Sequence, residues 1–175
     1  MSNKGVARFS KISLANFNKD YKENFPSGQE YALNDMEITA VYNSIKLPNR
    51  ATMYSAGYDF YSPIDIVLKP NVTVKLLTGI RCKMDNDVVL MIFPRSSLGF
   101  KYRMMLENTV GIIDSDYYNS DNEGHIMIKF TNHSNKDLVI KKGMAFAQGI
   151  FINYLLTEDD NVNNIRNGGL GSTNG

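Results

Sequence analysis

Val72-Thr-Val-Lys-Leu-Leu77, Thr78-Gly79, Ile80-Arg-Cys-Lys-Met84, Asp85-Asn-Asp87 and Val88-Val-Leu-Met-Ile-Phe93 follow one another without a gap and decide the fold class. Three short runs of β-branched and aliphatic residues are separated by turn-forming residues, which is the pattern of short strands joined by tight turns. The same grammar extends in both directions. Upstream, Ile64-Asp-Ile-Val-Leu68 leads into the turn Lys69-Pro70-Asn71. Downstream, Ile126, Ile128 and Phe130 alternate with Met127, Lys129 and Thr131 before the polar stretch 132–136. Leu138-Val-Ile140 and the run from Phe146 to Leu156 supply further strands. Many short strands and little helix from Ala51 onward predict a mainly β protein, a sandwich, jelly roll or barrel.

The preceding residues read differently. Leu14, Phe17, Tyr21 and Phe25 recur at helical spacing, and Pro26-Ser27-Gly28 ends the run. A second helix is signalled by Asn34 as a cap, Glu37 three residues on, and Ile38, Val41, Tyr42 and Ile45 on one face, with Pro48 closing it. Both helices carry an apolar stripe, so both are expected to pack rather than stand free. The expected layout is a helical segment 1–46, a β domain 47–156 and a C-terminal arm 157–175 that is acidic, then Asn-rich, then Gly-rich. A chain of 175 residues is the size of one domain.

Lys plus Arg number 19 and Asp plus Glu 18, a net charge of +1 that argues against coating a nucleic-acid polymer or an anionic membrane. The 43% hydrophobic and 21% charged fractions are those of a globular protein. No apolar run approaches the roughly 20 residues of a membrane span, and the first residues lack a signal-peptide core, so a cytoplasmic protein is expected. Cys82 is the single cysteine, and His125 and His133 cannot build a zinc site alone.

Four segments are too unusual for plain scaffold. Ser55-Ala-Gly-Tyr-Asp59-Phe-Tyr61 sets one acid among small and aromatic residues, where Asp59 either caps a turn or serves a site. Pro94-Arg-Ser-Ser-Leu-Gly99 follows an apolar strand, and an Arg fork with two hydroxyls can hold phosphate oxygens. In Asn108-Thr-Val-Gly-Ile-Ile-Asp114-Ser-Asp-Tyr-Tyr118, the acid follows two isoleucines, a position where a carboxylate can orient and deprotonate water. Asn119, Asp121, Glu123 and Gly124 imitate half of a calcium loop, but Phe130 stands where a bidentate Glu is required. Arg166 to Gly175 is either a loose tail or a mobile phosphate clamp of backbone amides and hydroxyls.

In this order, from Leu47 to Gly175, the segments resemble the trimeric deoxyuridine triphosphatase (dUTPase) family. Leu47-Pro-Asn-Arg-Ala-Thr52 and Ser55 to Asp59 resemble its opening and first motif, Pro94 to Gly99 the second, and Asn108 to Tyr117 the third. Gly143-Met-Ala-Phe-Ala-Gln148 resembles the fourth and Arg166 to Thr173 the fifth. The resemblance implies a jelly-roll or β-barrel homotrimer that converts dUTP to dUMP and pyrophosphate with Mg2+, keeping uracil out of DNA and supplying dUMP for dTMP synthesis. It implies Asp114 as the general base and Tyr117 beneath the deoxyribose, where a ribose 2′-hydroxyl would collide. Asn108, Gly111, Ile112, Ile113 and Met127 would meet the uracil, and Arg95, Ser96, Ser97 and Gln148 the phosphates. Arg166, Leu170, Gly171, Ser172 and Thr173 would close over the nucleotide. Magnesium would be held by the triphosphate and waters, with Asp59 near that hydrated ion and no direct protein ligand.

Such chemistry needs positioning and charge stabilisation more than covalent help. The chain departs from the family pattern at three places. Tyr118 to Glu123 lengthens the loop after Tyr117, Met144-Ala145-Phe146 replaces a charged pair in the fourth motif, and Leu170 replaces an aromatic lid residue. A dCTP deaminase, which resembles dUTPases in its Pro-Arg-Ser-Ser element, is the enzymatic rival, and would call for a glutamate base in the pocket. A catalytically idle nucleotide sensor is the rival from another class, disfavoured by the presence of Asp114.

Overall fold

The strands expected between Val72 and Phe93 form in the computed structural model, which describes residues 5–164 together with Arg166 and Gly168. The elements are β1 (Ala7–Lys11), α1 (Leu14–Asn24), α2 (Asp35–Ser44), β2 (Asn49–Arg50), β3 (Tyr58–Tyr61), β4 (Ile66–Leu68), β5 (Thr73–Leu77) and β6 (Ile80–Met84). They continue with β7 (Val88–Pro94), α3 (Ser96–Tyr102), β8 (Met104–Leu106), β9 (Gly111–Ile113), a 3-10 turn (Ser115–Asn119), β10 (Met127–Asn132), β11 (Leu138–Ile140) and β12 (Ala145–Asn153). Among the described residues all strand pairs are antiparallel, in a five-stranded sheet β2-β3-β12-β7-β9, a three-stranded sheet β5-β10-β8, and the pairs β1-β6 and β4-β11.

The protein is mainly β and jelly-roll-like, with the expected N-terminal pair of helices. The sheets do not close into one barrel: several strands are only three residues long, and turns with left-handed backbone at Gly79, Arg103 and Thr109 interrupt the ladders.

Both N-terminal helices start at a side-chain cap, the second at the expected Asn34. Ser13 accepts from the Asn16 amide at the head of α1. Asn34 and Glu37 form a reciprocal capping box on α2, satisfying two amides that otherwise lack partners. Phe17, Tyr21 and Ile38 are buried in the same cluster as Leu76, Leu77, Ile80 and Phe130. Gly79, with φ +69°, permits this approach, because a Cβ there would collide with Ile45 and press on Phe17. The region is not wholly helical, however: β1 pairs with β6 in the register Phe9↔Cys82. Ala7 to Lys11 has no period of its own, and only the neighbouring edge of β6 makes it a strand. After β7 the chain turns directly into the short helix α3. No described helix is long and apolar enough to cross a membrane.

Candidate active site

Register in the five-stranded sheet builds the first cluster. Gln148 on β12 lies opposite Asp59 on β3 and opposite Phe93 on β7. One rung therefore carries Asp59 and Gln148 side by side, and Arg95 follows the end of β7. The Arg95 guanidinium donates to Asp59 Oδ1, and Gln148 Nε2 donates to the Pro94 carbonyl at 3.3 Å. A bulge between Ala145 and Ala147 shifts β12 against β3, and the Arg95 amide donates to the Phe146 carbonyl at 3.1 Å. Gly57 completes the approach, since a Cβ there would stand 2.7 Å from Gln148 Oε1. Ser96 and Ser97 are exposed in the first turn of α3, beside Arg95. The outcome is a buried carboxylate neutralised by an arginine, with an amide and two hydroxyls close by.

The second cluster lies on the other flank of β7, where β9 pairs with Leu90 to Ile92. Gly111 of β9 sits on Ile92, where a Cβ would be 3.0 Å from the isoleucine Cβ. A cavity of about 300 Å³ opens among Ile92, Asn108, Gly111, Ile112, Ile113 and Met127. It is mostly apolar, with a few polar groups at its rim, the kind of lining that holds a flat heterocycle. Sequence reasoning missed Lys75, Leu106, Glu107, Ile126, Ile128 and Lys129, which line it too. Glu107 takes the Thr131 hydroxyl on its Oε1, and Lys75 lies directly across from Lys129 in the β5–β10 ladder. Nothing in the local sequence marks these residues. They reach the cavity because β8 and β5 flank β10.

Asp114 follows β9 and opens the 3-10 turn, its side chain 49% exposed. Burial of the rest pushes its carboxyl above the usual carboxylate range; Arg166 pulls against this, and Asp116 adds to it. Arg166 Nη2 lies 2.8 Å from Asp114 Oδ2, and Nε lies 3.0 Å from Asp116 Oδ1. That Nε has no aligned hydrogen-bond partner, so the second contact is one of charge alone. The guanidinium also stands 5.6 Å from the centre of the Tyr117 ring. Tyr117 is buried, which raises its phenol, and its hydroxyl donates to the His125 carbonyl and accepts from Asn122 Nδ2, each at 2.8 Å.

The structure thus brings together Asp59, Arg95, Ser96, Ser97 and Gln148 in one place, and Asn108, Gly111, Ile112, Ile113, Asp114, Tyr117, Met127 and Arg166 in another. The two groups adjoin where Gly111 faces Ile92, one residue from the Phe93 that faces Gln148, but Asp114, beyond Ile113, stands well away from Arg95 within one chain. Ile113 pairs with Leu90, and Arg95 lies five residues further along, about 16 Å at ~3.3 Å per residue. Leu170, Gly171, Ser172 and Thr173 lie outside the described residues. Among the described residues no three His, Cys, Asp or Glu side chains converge on a point. The donors at hand, Asp59, Asp114 and Asp116, are hard oxygens that suit a hydrated cation such as Mg2+ carried by a ligand's own oxygens.

Residues 43–174 match the family model for dUTPase. The chain is 37% identical over 142 residues to the deoxyuridine 5'-triphosphate nucleotidohydrolase of Lactococcus lactis, covering 78% of this chain and 95% of that one. The crystal structure of the Streptococcus mutans dUTPase is 35% identical and superposes with a TM-score of 0.59 over 66% of this chain and 91% of its own. The dUTPase from phage phi11 of Staphylococcus aureus, only 16% identical, shares the fold with a TM-score of 0.61 over 92% of this chain. With three quarters of its length matched and its motif residues gathered around the base-sized cavity and the Asp59–Arg95 pair, the chain belongs to the dUTPase family.

Proposed function

We propose that the protein hydrolyses dUTP to dUMP and pyrophosphate, removing a source of uracil in DNA and supplying dUMP for dTMP synthesis. The observation that carries this reading is Asp114, half-exposed, next in the chain to Ile113 of the apolar cavity's lining, and paired with Arg166. In this reading the uracil enters the cavity against Asn108 and the backbone of Gly111 to Ile113, with Met127 on the opposite wall. Tyr117 packs beneath the deoxyribose. Asp114 takes a proton from a water molecule; a bond forms from the water oxygen to phosphorus as the α–β phosphoanhydride bond breaks. Arg95, Ser96, Ser97 and Gln148 hold the phosphate chain, with Asp59 fixing the Arg95 fork. Arg166, Leu170, Gly171, Ser172 and Thr173 form the closing arm. Magnesium, bound through the triphosphate and waters, would neutralise charge that builds on the leaving pyrophosphate.

The separation of Asp114 from Arg95 along β7 supports a homotrimer whose sites are shared: one chain offers the cavity and Asp114, a neighbour offers Arg95 and Gln148.

Glu107 at the cavity rim keeps the deaminase alternative specific enough to test. Incubation with dUTP and with dCTP, with and without Mg2+, should release pyrophosphate from dUTP alone and no ammonia from dCTP. Asp114→Asn should fold and bind nucleotide but turn over about 10²- to 10⁴-fold more slowly. Ammonia release from dCTP, or near-parental turnover by Asp114→Asn, would refute the assignment.

A further inference from the structure

The loop that lengthens the third motif, 118–123, is tied to Tyr117, to the N-terminal helix α1 and, through Arg81 on the Tyr118 carbonyl and ring, to β6. Asn122 Nδ2 donates to the Tyr117 hydroxyl, while Asn122 Oδ1 accepts from the Gly124 amide at 3.2 Å. Ser120 Oγ lies 2.7 Å from both the Tyr117 carbonyl and Asn122 Oδ1. Gly124, with φ +69°, lets the loop close on the ring's backbone: a Cβ there would stand 2.7 Å from the Tyr117 carbonyl oxygen. Glu123 has φ +58°, a backbone conformation costly for a residue with a side chain. What holds it there is α1. The Ser13 amide and hydroxyl each donate to the Glu123 carboxylate at 2.7 Å, and Arg81 lies 4.0 Å away.

His125 makes the second tie. Its ring is fully buried, and Nε2 accepts from the Gly79 amide at 2.9 Å. The ring proton is therefore on Nδ1, which donates to Asp20 of α1 at 2.5 Å. The carbonyl of the same residue receives the Tyr117 hydroxyl. Ser13, which caps α1, and Asp20 within it thus hold the two residues that flank Gly124, and that segment clamps the phenol from both sides.

We infer that α1 and the 118–125 loop form a brace that fixes the Tyr117 ring, and that Asn122, His125 and Asp20 are positioning residues for the choice of deoxyribose over ribose. This rests on the reading that Tyr117 packs beneath the sugar. A ring rejects a 2′-hydroxyl only if it cannot move aside, and a hydroxyl bonded to a backbone carbonyl and a side-chain amide keeps the ring in one place. The brace joins two parts of the chain far apart in sequence, an N-terminal helix and a loop insertion.

The test measures kcat and KM for dUTP and UTP in the full-length parent and in Asn122→Ala, Tyr117→Phe, Asp20→Ala and Tyr117→Ala. Asn122→Ala, Tyr117→Phe and Asp20→Ala should each lower the ratio of kcat/KM for dUTP over UTP by ~3- to 10-fold, the worth of one hydrogen bond, chiefly through a lower KM for UTP. Combining Asn122→Ala with Tyr117→Phe should add little to Tyr117→Phe alone, because the phenylalanine already lacks the bond to Asn122. Asp20→Asn, which can still accept from His125 Nδ1, should retain the parental ratio. Asn122 lies on a loop surface and keeps the test open if Asp20→Ala does not fold. A parental ratio in Asn122→Ala and Tyr117→Phe, with a reduced one in Tyr117→Ala, overturns the brace and leaves the sugar reading standing. A parental ratio in Tyr117→Ala overturns the sugar reading, and the brace with it.

Discussion

Asp114 feels three influences of different sign, and their balance has a measurable consequence. A general base works only when deprotonated, so a carboxyl raised by burial loses activity at a higher pH than an ordinary aspartate would. Removing the Arg166 charge withdraws the influence that favours the ionised form, so Arg166→Ala should move the acidic limb of kcat/KM to higher pH. Asp116→Asn removes a like charge and should move it to lower pH. The position of the limb relative to the parent, and not its height, is the readout, because Arg166 is also assigned to the proposed closing arm and the substrate's own ionisation is common to all three proteins. A limb that stays in place in both variants would mean that neither charge acts on Asp114. The acid itself was legible from two isoleucines before it. Its contact with a residue 52 positions later was not, since no local pattern encodes it.

Two glycines of the site differ in what a methyl group would meet. At Gly57 the obstacle is the tip of the Gln148 side chain, which can swing away; at Gly124 it is the backbone of Tyr117 and Tyr118, with φ at +69°. Gly57→Ala should therefore leave the unfolding free energy close to parental while weakening nucleotide binding through the displaced Gln148. Gly124→Ala should cost at least about 1–2 kcal/mol of stability, from the left-handed backbone alone. Denaturant unfolding and a nucleotide titration separate the two outcomes. The helices carry a further expectation. Phe17 is fully buried against Gly79 and the β5–β6 turn, so Phe17→Ala should destabilise the protein by about 3–5 kcal/mol in denaturant melts. A loss under 1 kcal/mol would mean that α1 is a loose appendage. Helix spacing and capping were readable along the chain because each acts within four residues. The strand β1 was not, because its partner β6 lies about seventy residues away.

Across the molecule, about 16 Å of β7 between the level of Ile113 and Arg95 separates Asp114, the proposed general base, from Arg95, the proposed phosphate ligand. If neighbouring chains combine them, two inactive proteins can repair each other. Asp114→Asn subunits keep an intact Arg95 and Arg95→Ala subunits keep an intact Asp114, so a site formed between the two has both. Mixing the unfolded variants and refolding them together should restore a substantial fraction of parental dUTP turnover, while each refolded alone remains slow. Absence of recovery in mixed oligomers, checked by mass, would argue for sites built within single chains.

Local chemistry along the chain was enough for the mainly β class, both N-terminal helices, and the motif residues with their family, because strand alternation, turn residues, caps and short motifs are all written within a few positions. It could not say that the sheets stay open, that Glu107, Lys75 and Lys129 face the cavity, or that Ser13 and Asp20 hold the loop beyond Tyr117. Those facts depend on which distant strands pair and in what register, and on where a helix docks. Register and docking are settled by the joint burial of side chains such as Phe17, Ile38, Leu76 and Phe130, which no stretch of sequence contains by itself.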